Sequence, residues 1–190
     1  MALSLFGQAV PGNAVPEMFV FDVDFTLWPL WCDTHVSPPF RLCDKSKQVV
    51  DSGNRKIQLY PEVPQILLSL ANTGIKIGFA SRTEEPKWME KIAKLMHIGD
   101  NKTLWDMADY RQIYPGSKIS HFKELSKQSG IPCDKMVFFD DEVRNSEVQK
   151  LGVTFVHCPE GMSAKLLLEG IKLYSKTKMT SNDEAKNLHE

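Results

Sequence analysis

Short, predominantly apolar runs alternate along this chain with segments whose apolar residues recur at helical spacing. The runs are Met18–Phe21, Ile75–Ala80, Met136–Phe139 and Val153–His157. Strands that are apolar on both faces are typical of a parallel sheet that is covered by helices on both sides. The alternation therefore predicts an α/β fold with a doubly wound, mostly parallel sheet between two layers of helices.

The segments between the runs carry the helix signals. Val63, Ile66, Leu67 and Leu70 lie on one helical face, and Gly74 stands where a helix would end. Further helices are predicted over 84–96, 117–129, 142–151 and 162–174, and a short strand over 109–114. Because each run is followed by a helix, the chain has the pattern of repeated strand–helix–strand units.

The length of 190 residues suits one domain. We predict a loose leader over residues 1–16, a single domain over 17–175 and a polar tail over 176–190. Within the domain, residues 27–59 form an insert that is too small for a helical cap domain, so we expect a small flap.

Net charge and cysteine content indicate which partners and which cellular compartment to expect. The formal net charge is −1, which gives no basic footprint for nucleic acid or an anionic membrane. The four cysteines include no C-x-x-C pair, and this pattern favours free thiols in a reducing compartment. No apolar run reaches the roughly 18 residues that a membrane span needs. We expect a cytoplasmic monomer.

Polar residues follow three of the predicted strands, where a parallel sheet places its ligand crevice. Asp22 and Asp24 follow the first run, Ser81 and Arg82 the second, and the third is followed by Asp140 and Asp141. Carboxylates held close together repel unless a cation neutralises them or they share a proton. Oxygen ligands beside a phosphate favour Mg²⁺. The pattern predicts a magnesium site at this edge of the sheet.

A bound Mg²⁺, a carboxylate, a hydroxyl and a lysine together indicate phosphoryl transfer. The cations stabilise negative charge on the transferred group, and a carboxylate can itself become phosphorylated. Ser81 and Arg82, which we expect to open a helix, would bind phosphate oxygens, and Lys118 would add a positive charge.

The order of these motifs resembles the haloacid dehalogenase superfamily of phosphatases. DxDxT (Asp22, Asp24 and Thr26) is followed by Ser81, Lys118 and the acid pair at 140–141. The stretches FDVDFTLWPLWCDTHVSPPF, LYPEVP, ASRT, IYPGSK and MVFFDDE are similar to magnesium-dependent phosphatases of that superfamily. The resemblance extends from Met18 to Tyr174. It implies a Rossmann-like core and phosphomonoester hydrolysis.

The resemblance also implies a role for each motif residue. Asp22 would be the nucleophile and Asp24 the general acid and base. Mg²⁺ would be held by the Asp22 side chain, the Asp24 backbone carbonyl and Asp140. Further residues would bind phosphate or substrate, or support the metal ligands: Val23 through its backbone, Ser81, Arg82 and Lys118 for phosphate, Trp31 at the substrate entrance, and Thr26 and Asp141 beside the metal.

Each of these residues also has a purely structural interpretation. The acids and Ser81 could cap turns or helices, and Arg82 or Lys118 could lie on a solvated surface. Trp28, Trp31 and Phe40 could cover the insert or contact substrate, and the sequence leaves both possibilities open. The presence of all the motifs in order favours the functional interpretation of the acids.

Motif spacing indicates an open site. Asp22 and Ser81 are 59 positions apart, and Lys118 follows Ser81 by 37, so neither interval has room for a large cap. An open site admits bulky groups such as protein phosphotyrosine or sugar phosphates. Two alternatives remain: a phosphotransferase or phosphomutase, and a receiver-like module that stores a phosphoaspartate. A second acid two positions after the nucleophile favours the hydrolase.

Overall fold

The computed structural model describes residues 14–43, 48–99 and 101–187, with side chains as far as residue 180. Most of the predicted leader, residues 1–13, lies outside the described residues. The fold is organised by one parallel sheet of five strands in the order β10–β9–β1–β5–β8. Its strands are β1 (Met18–Phe21), β5 (Lys76–Ser81), β8 (Tyr110–Ile113), β9 (Met136–Asp140) and β10 (Thr154–His157).

Four α-helices connect or follow these strands: α1 (Val63–Ala71), α2 (Pro86–Leu95), α3 (Lys118–Ser129) and α4 (Ala164–Asn187). Each predicted strand and helix has a counterpart whose ends agree within a few residues, apart from the segment after β9 and the end of α4. The predicted end of α3 has a physical cause, since Gly130 adopts the left-handed conformation (φ 73°) that glycine tolerates best.

The core has two parts, one on each face of the sheet. Phe19 and Phe21 of β1 pack on the side of α1, α2 and α4, whereas Met18 and Val20 pack on the side of α3. Successive strand side chains point to opposite faces, so a strand covered on both sides must be apolar throughout. This is why β1 consists only of buried apolar residues. The doubly wound prediction is confirmed.

The insert between β1 and α1 is small and closely packed. It carries a three-stranded antiparallel sheet of β2 (Arg41–Leu42), β3 (Val49–Val50) and β4 (Lys56–Ile57). Trp28 and Phe40 are buried in the core, so their rings pack against the insert. The described residues contain no large cap domain, which confirms the prediction.

Three further features differ from the sequence prediction. Residues Val143–Leu151 form a 3₁₀ helix, since this segment has no continuous apolar stripe to support an amphipathic α-helix. A hairpin of β6 (His97–Gly99) and β7 (Lys102–Thr103) was not predicted. The predicted tail is helical as far as Asn187, because no proline or glycine interrupts α4 after Gly170. Among the described residues, no helix is long and apolar enough to cross a membrane.

Candidate active site

Asp22, Lys118 and Asp140 meet at the carboxyl edge of the sheet. The Asp22 N–H donates to the Phe139 carbonyl at 2.9 Å, which holds the residue between β1 and β9. Lys118 begins α3 and is fully buried, with its Nζ 2.5 Å from Asp22 Oδ1 and 3.2 Å from Asp140 Oδ2. Residues from three segments of the chain therefore form one ionic cluster.

The charges of this cluster do not balance. Burial by itself lowers the pKa of Lys118, but Asp22 and Asp140 outweigh that effect and raise the pKa, so the ammonium stays charged. Burial raises the pKa of Asp22 well above its usual range; Lys118 opposes the shift and Asp140 adds to it. When Asp22 and Asp140 are both ionised, two buried carboxylates against one ammonium leave one negative charge, which an additional cation would compensate.

Asp24 occupies a different environment two residues later. Its Oδ1 accepts hydrogen bonds from the Trp28 indole N–H at 2.6 Å and the Cys32 N–H at 3.2 Å. Burial raises the pKa of Asp24 to about 6, although these two hydrogen bonds partly offset the shift. A carboxyl with this pKa can change its protonation state near neutral pH, as a general acid and base must.

The turn around Asp24 is tight. The Val23 carbonyl accepts from the Leu27 N–H at 2.8 Å, and the Val23 side chain is buried. Phe25 has a positive φ of 54°, a conformation that is strained for a bulky side chain and is often kept at functional sites. The turn thus places Asp24 next to the end of β1 with its side chain directed into the insert.

Ser81 and Arg82 lie on the same edge. Ser81 ends β5 and is buried, and its Oγ accepts from the Thr83 N–H at 3.3 Å. Arg82 is half-buried and donates to Asn145 Oδ1 at 3.3 Å. The expectation that the two residues open a helix is wrong, because α2 begins only at Pro86. Any phosphate contact at this position therefore comes from the loop and the side chains.

Thr26 and Asp141 are joined at the edge of the cluster. The Asp141 N–H donates to Thr26 Oγ1 at 3.2 Å, and Thr26 Oγ1 donates to Asp141 Oδ1 at 3.4 Å. Burial, followed by the charge of Asp140, raises the pKa of Asp141 to about 6. Asp141 caps no helix, since the following 3₁₀ helix has Glu142 as its N-terminal cap.

A cavity of about 340 Å³ opens above these groups. Its floor includes Asp22, Asp24, Ser81 and Lys118, and Trp31 stands at the rim with 47% of its surface exposed. The Trp31 ring stacks on His35 at 5.3 Å between centroids and meets Phe25 edge-on at 5.1 Å. Of the three aromatic residues left open above, only Trp31 lines the cavity.

The insert is fixed to the loop after β5 by contacts that the sequence motifs do not indicate. Asp33 Oδ2 accepts from the Thr83 hydroxyl at 3.3 Å and from the Glu84 N–H at 3.1 Å. Cys32 Sγ lies 3.1 Å from Thr83 Oγ1 in the buried part of the same contact. These bonds join residues about 50 positions apart, so no local pattern could have identified them.

The donor set fits a divalent cation. The predicted ligands are two carboxylates and a backbone carbonyl, and the ionised carboxylates of Asp22 and Asp140 carry one more negative charge than the Lys118 ammonium balances. The described side chains contain no group of three or more His, Cys, Asp or Glu residues that could hold a metal. The predicted magnesium site does not require three such side chains, because its third ligand is the backbone carbonyl of Asp24.

Comparisons with known proteins identify the family of the chain. A family model described as Acid Phosphatase matches residues 14–177. The chain is 44% identical over 163 residues to Magnesium-dependent phosphatase 1 of Homo sapiens, covering 85% of this chain and 89% of the relative. It is 43% identical over 145 residues to a haloacid dehalogenase-like hydrolase superfamily protein of Schizosaccharomyces pombe, covering 74% and 84%.

Two solved structures share the fold at low sequence identity. A phosphatase-domain fragment from Bacteroides fragilis, complexed with Mg, has a TM-score of 0.54 and 20% identity; the match covers 88% of this chain and 42% of that one. A haloacid dehalogenase family enzyme of Bacteroides thetaiotaomicron, complexed with magnesium and inorganic phosphate, has a TM-score of 0.54 and 13% identity, covering 76% and 94%.

The parallel core and the acidic edge, together with these relatives, define a phosphatase of the haloacid dehalogenase superfamily. Within that class the chain belongs to the acid phosphatase family, whose model covers most of its length.

Proposed function

We propose that this chain is a Mg²⁺-dependent phosphomonoester hydrolase that acts through an aspartyl-phosphate on Asp22. The observation that carries the proposal is the pair of unlike carboxyl groups beneath the open cavity. Asp22 lies against the Lys118 ammonium, whereas Asp24 has one oxygen held by Trp28 and a pKa of about 6. Two acids in different environments are typical of a site where one is the nucleophile and the other transfers protons.

The raised pKa of Asp22 explains why the reaction would depend on a metal. A protonated carboxyl is a poor nucleophile, and burial favours the protonated form of Asp22. When bound by Asp22, the Asp24 carbonyl and Asp140, Mg²⁺ would supply positive charge that keeps Asp22 ionised and offsets the charge of the phosphate. The Mg²⁺ dependence in the name of the Homo sapiens relative supports this assignment.

The side chains of the site perform the nucleophilic attack, the proton transfers and the binding of phosphate. Asp22 attacks phosphorus and forms a new P–O bond, while the bond to the leaving oxygen breaks and Asp24 gives that oxygen a proton. Asp24 then takes a proton from water, which attacks phosphorus, breaks the bond to Asp22 and releases inorganic phosphate. Ser81, Arg82 and Lys118 stabilise the phosphoryl oxygens, helped by the backbone at Val23.

The substrate we propose is a phosphotyrosine side chain of a protein or a sugar phosphate. The cavity is open at the rim and the described residues form no cap domain over it, so a bulky leaving group has room. The exposed face of Trp31 suits a phenyl or sugar ring. Thr26 and Asp141 would support the metal ligands from the side.

The experiment is turnover of p-nitrophenyl phosphate, a phosphotyrosine peptide and a hexose phosphate, each with Mg²⁺ and with excess chelator. We expect turnover of p-nitrophenyl phosphate and at least one other substrate with Mg²⁺, and none in chelator. Ca²⁺ should replace Mg²⁺ poorly, because its larger and looser coordination suits the site less well. Full activity in chelator would refute the metal assignment. Transfer of the phosphoryl group to an added alcohol in place of water would identify a phosphotransferase.

A further inference from the structure

Asn145 is a buried polar residue of the site to which the mechanism above assigns no role. It lies in the 3₁₀ helix after β9, is 2% exposed, and lines the cavity. Its Nδ2 donates to both oxygens of Asp140 at 2.9 Å and to Glu142 Oε2 at 3.3 Å. Its Oδ1 accepts from Arg82 Nη1 at 3.3 Å. One amide therefore contacts both the carboxylate expected to bind the metal and the guanidinium expected to bind phosphate.

The chemistry of these two neighbours requires an amide. The nitrogen end faces the carboxylate of Asp140 and the oxygen end faces the cation of Arg82, so the orientation of the amide is fixed by charge at both ends. A carboxylate at this position would repel Asp140, and an apolar side chain would remove one of the donors of a buried carboxylate. Only a group with a donor and an acceptor satisfies both partners.

We propose that Asn145 is a positioning residue that sets the orientation of Asp140 toward the metal and of Arg82 toward the phosphate. The inference rests on the proposed function, because it takes Asp140 as a metal ligand and Arg82 as a phosphate contact. Asp140 receives its other hydrogen bond, at 2.8 Å, from the Glu142 backbone and its ion pair from Lys118. Among the described residues, Asn145 is thus the uncharged side chain whose hydrogen bonds join Asp140, the expected metal ligand, to Arg82, the expected phosphate contact.

The first measurement is Mg²⁺ binding to the full chain by titration calorimetry, with no substrate present. Asn145→Ala and Asn145→Leu should weaken Mg²⁺ binding about 10- to 100-fold, as the loss of groups that orient metal ligands commonly does. Leu keeps the branching of the side chain, so it remains informative if the alanine variant folds poorly. Asp140→Asn serves as the reference for loss of a ligand.

Two residues of the same 3₁₀ helix provide matched controls. Gln149→Ala removes an amide that is exposed to solvent, and Val148→Ala removes buried apolar contacts from the core beneath α3. Both should bind Mg²⁺ as the unmodified chain does, and Val148→Ala should also lower the melting temperature. If Val148→Ala weakens Mg²⁺ binding as much as Asn145→Ala does, Asn145 has a merely structural role and the proposal is overturned.

The second measurement is the affinity for inorganic phosphate at saturating Mg²⁺, as a double-mutant cycle with Arg82→Ala. Asn145→Ala should weaken phosphate binding when Arg82 is present. Its effect should fall to within about twofold when Arg82 is absent, because the two residues act together. Additive effects would contradict the proposal.

The outcomes separate this proposal from the function on which it rests. If Asp140→Asn loses Mg²⁺ affinity while both Asn145 variants keep it, the positioning role is wrong and the proposed metal site stands. If Asp140→Asn also keeps its affinity, the metal site itself is wrong, and the positioning role fails with it.

Discussion

Replacing Lys118 by Met should destabilise the metal-free protein severely. Lys118 is fully buried and is the ammonium that lies between Asp22 and Asp140. Met has a similar length and no charge, so Lys118→Met leaves two buried carboxylates facing each other without a cation. Breaking a buried ion pair by removing one partner costs about 3–5 kcal/mol, because the remaining charge stays desolvated.

The expected change in melting temperature follows from the size of the chain. For a domain of 150–250 residues, 1 kcal/mol corresponds to about 2–4 °C, so the loss should be about 6–20 °C. The assay is thermal unfolding in chelator at neutral pH, repeated with Mg²⁺ and at lower pH. Added Mg²⁺ should recover part of the loss, because it supplies positive charge to the same carboxylates.

Acid should also reduce the deficit. In Lys118→Met the folded-state pKa of Asp22 lies above its unfolded value, because burial already raises this pKa and the opposing charge of Lys118 is removed. The destabilisation is therefore absent below the unfolded pKa and develops as the pH rises through the folded one. The control is Lys94→Met. Lys94 forms an ion pair with Glu90, and the two side chains are 52% and 41% exposed. Such pairs contribute about 0–1 kcal/mol. An equal, small loss in both variants would refute the reasoning.

Two further predictions concern Asp24 and Trp31. The leaving group of an aryl phosphate departs unprotonated, so hydrolysis of the phosphoenzyme should limit kcat. Hydrolysis needs ionised Asp24, whose pKa is about 6, so kcat should rise as the pH rises through about 6. With an alkyl phosphate, protonation of the leaving group should limit kcat, which should then fall over the same range; parallel profiles would contradict the assignment. Trp31→Ala should raise KM for aryl phosphates about 2- to 12-fold, the equivalent of one aromatic contact, with kcat nearly unchanged. Because Trp31 is exposed, the melting temperature of the Trp31→Ala protein should change little. A large fall in melting temperature with unchanged KM would instead indicate that Trp31 has a packing role.

The parallel core could be predicted because its signal is local. Each strand of the sheet interior is a buried run such as Met18–Phe21, and Gly130 marks the end of α3 in the sequence itself. Strand ends also determine the site, since Asp22 and Asp140 reach the same edge once β1 and β9 are parallel neighbours. The sequence pattern was therefore sufficient to place the acids together.

The supporting contacts could not be predicted in the same way. Asn145 joins Asp140 to Arg82 from the 3₁₀ helix after β9, and Arg82 is 63 positions away along the chain, so no local pattern indicates the contact. Asp33 reaches Thr83 across 50 positions through tertiary packing of the insert. Both contacts depend on the relative placement of elements, which spacing along the chain does not encode.

The central claim is that Asp22 becomes phosphorylated, and mass spectrometry of trapped phosphoenzyme tests it most directly. Asp24→Asn, mixed with an aryl phosphate and Mg²⁺ and quenched in acid, should carry one phosphoryl group on the peptide that contains Asp22, because the amide cannot activate water to remove it. The label should be released by hydroxylamine, as an acyl phosphate is, and Asp22→Asn should show neither label nor turnover. Near-normal turnover in Asp22→Asn, or a phosphoryl group found on another residue, would contradict the account.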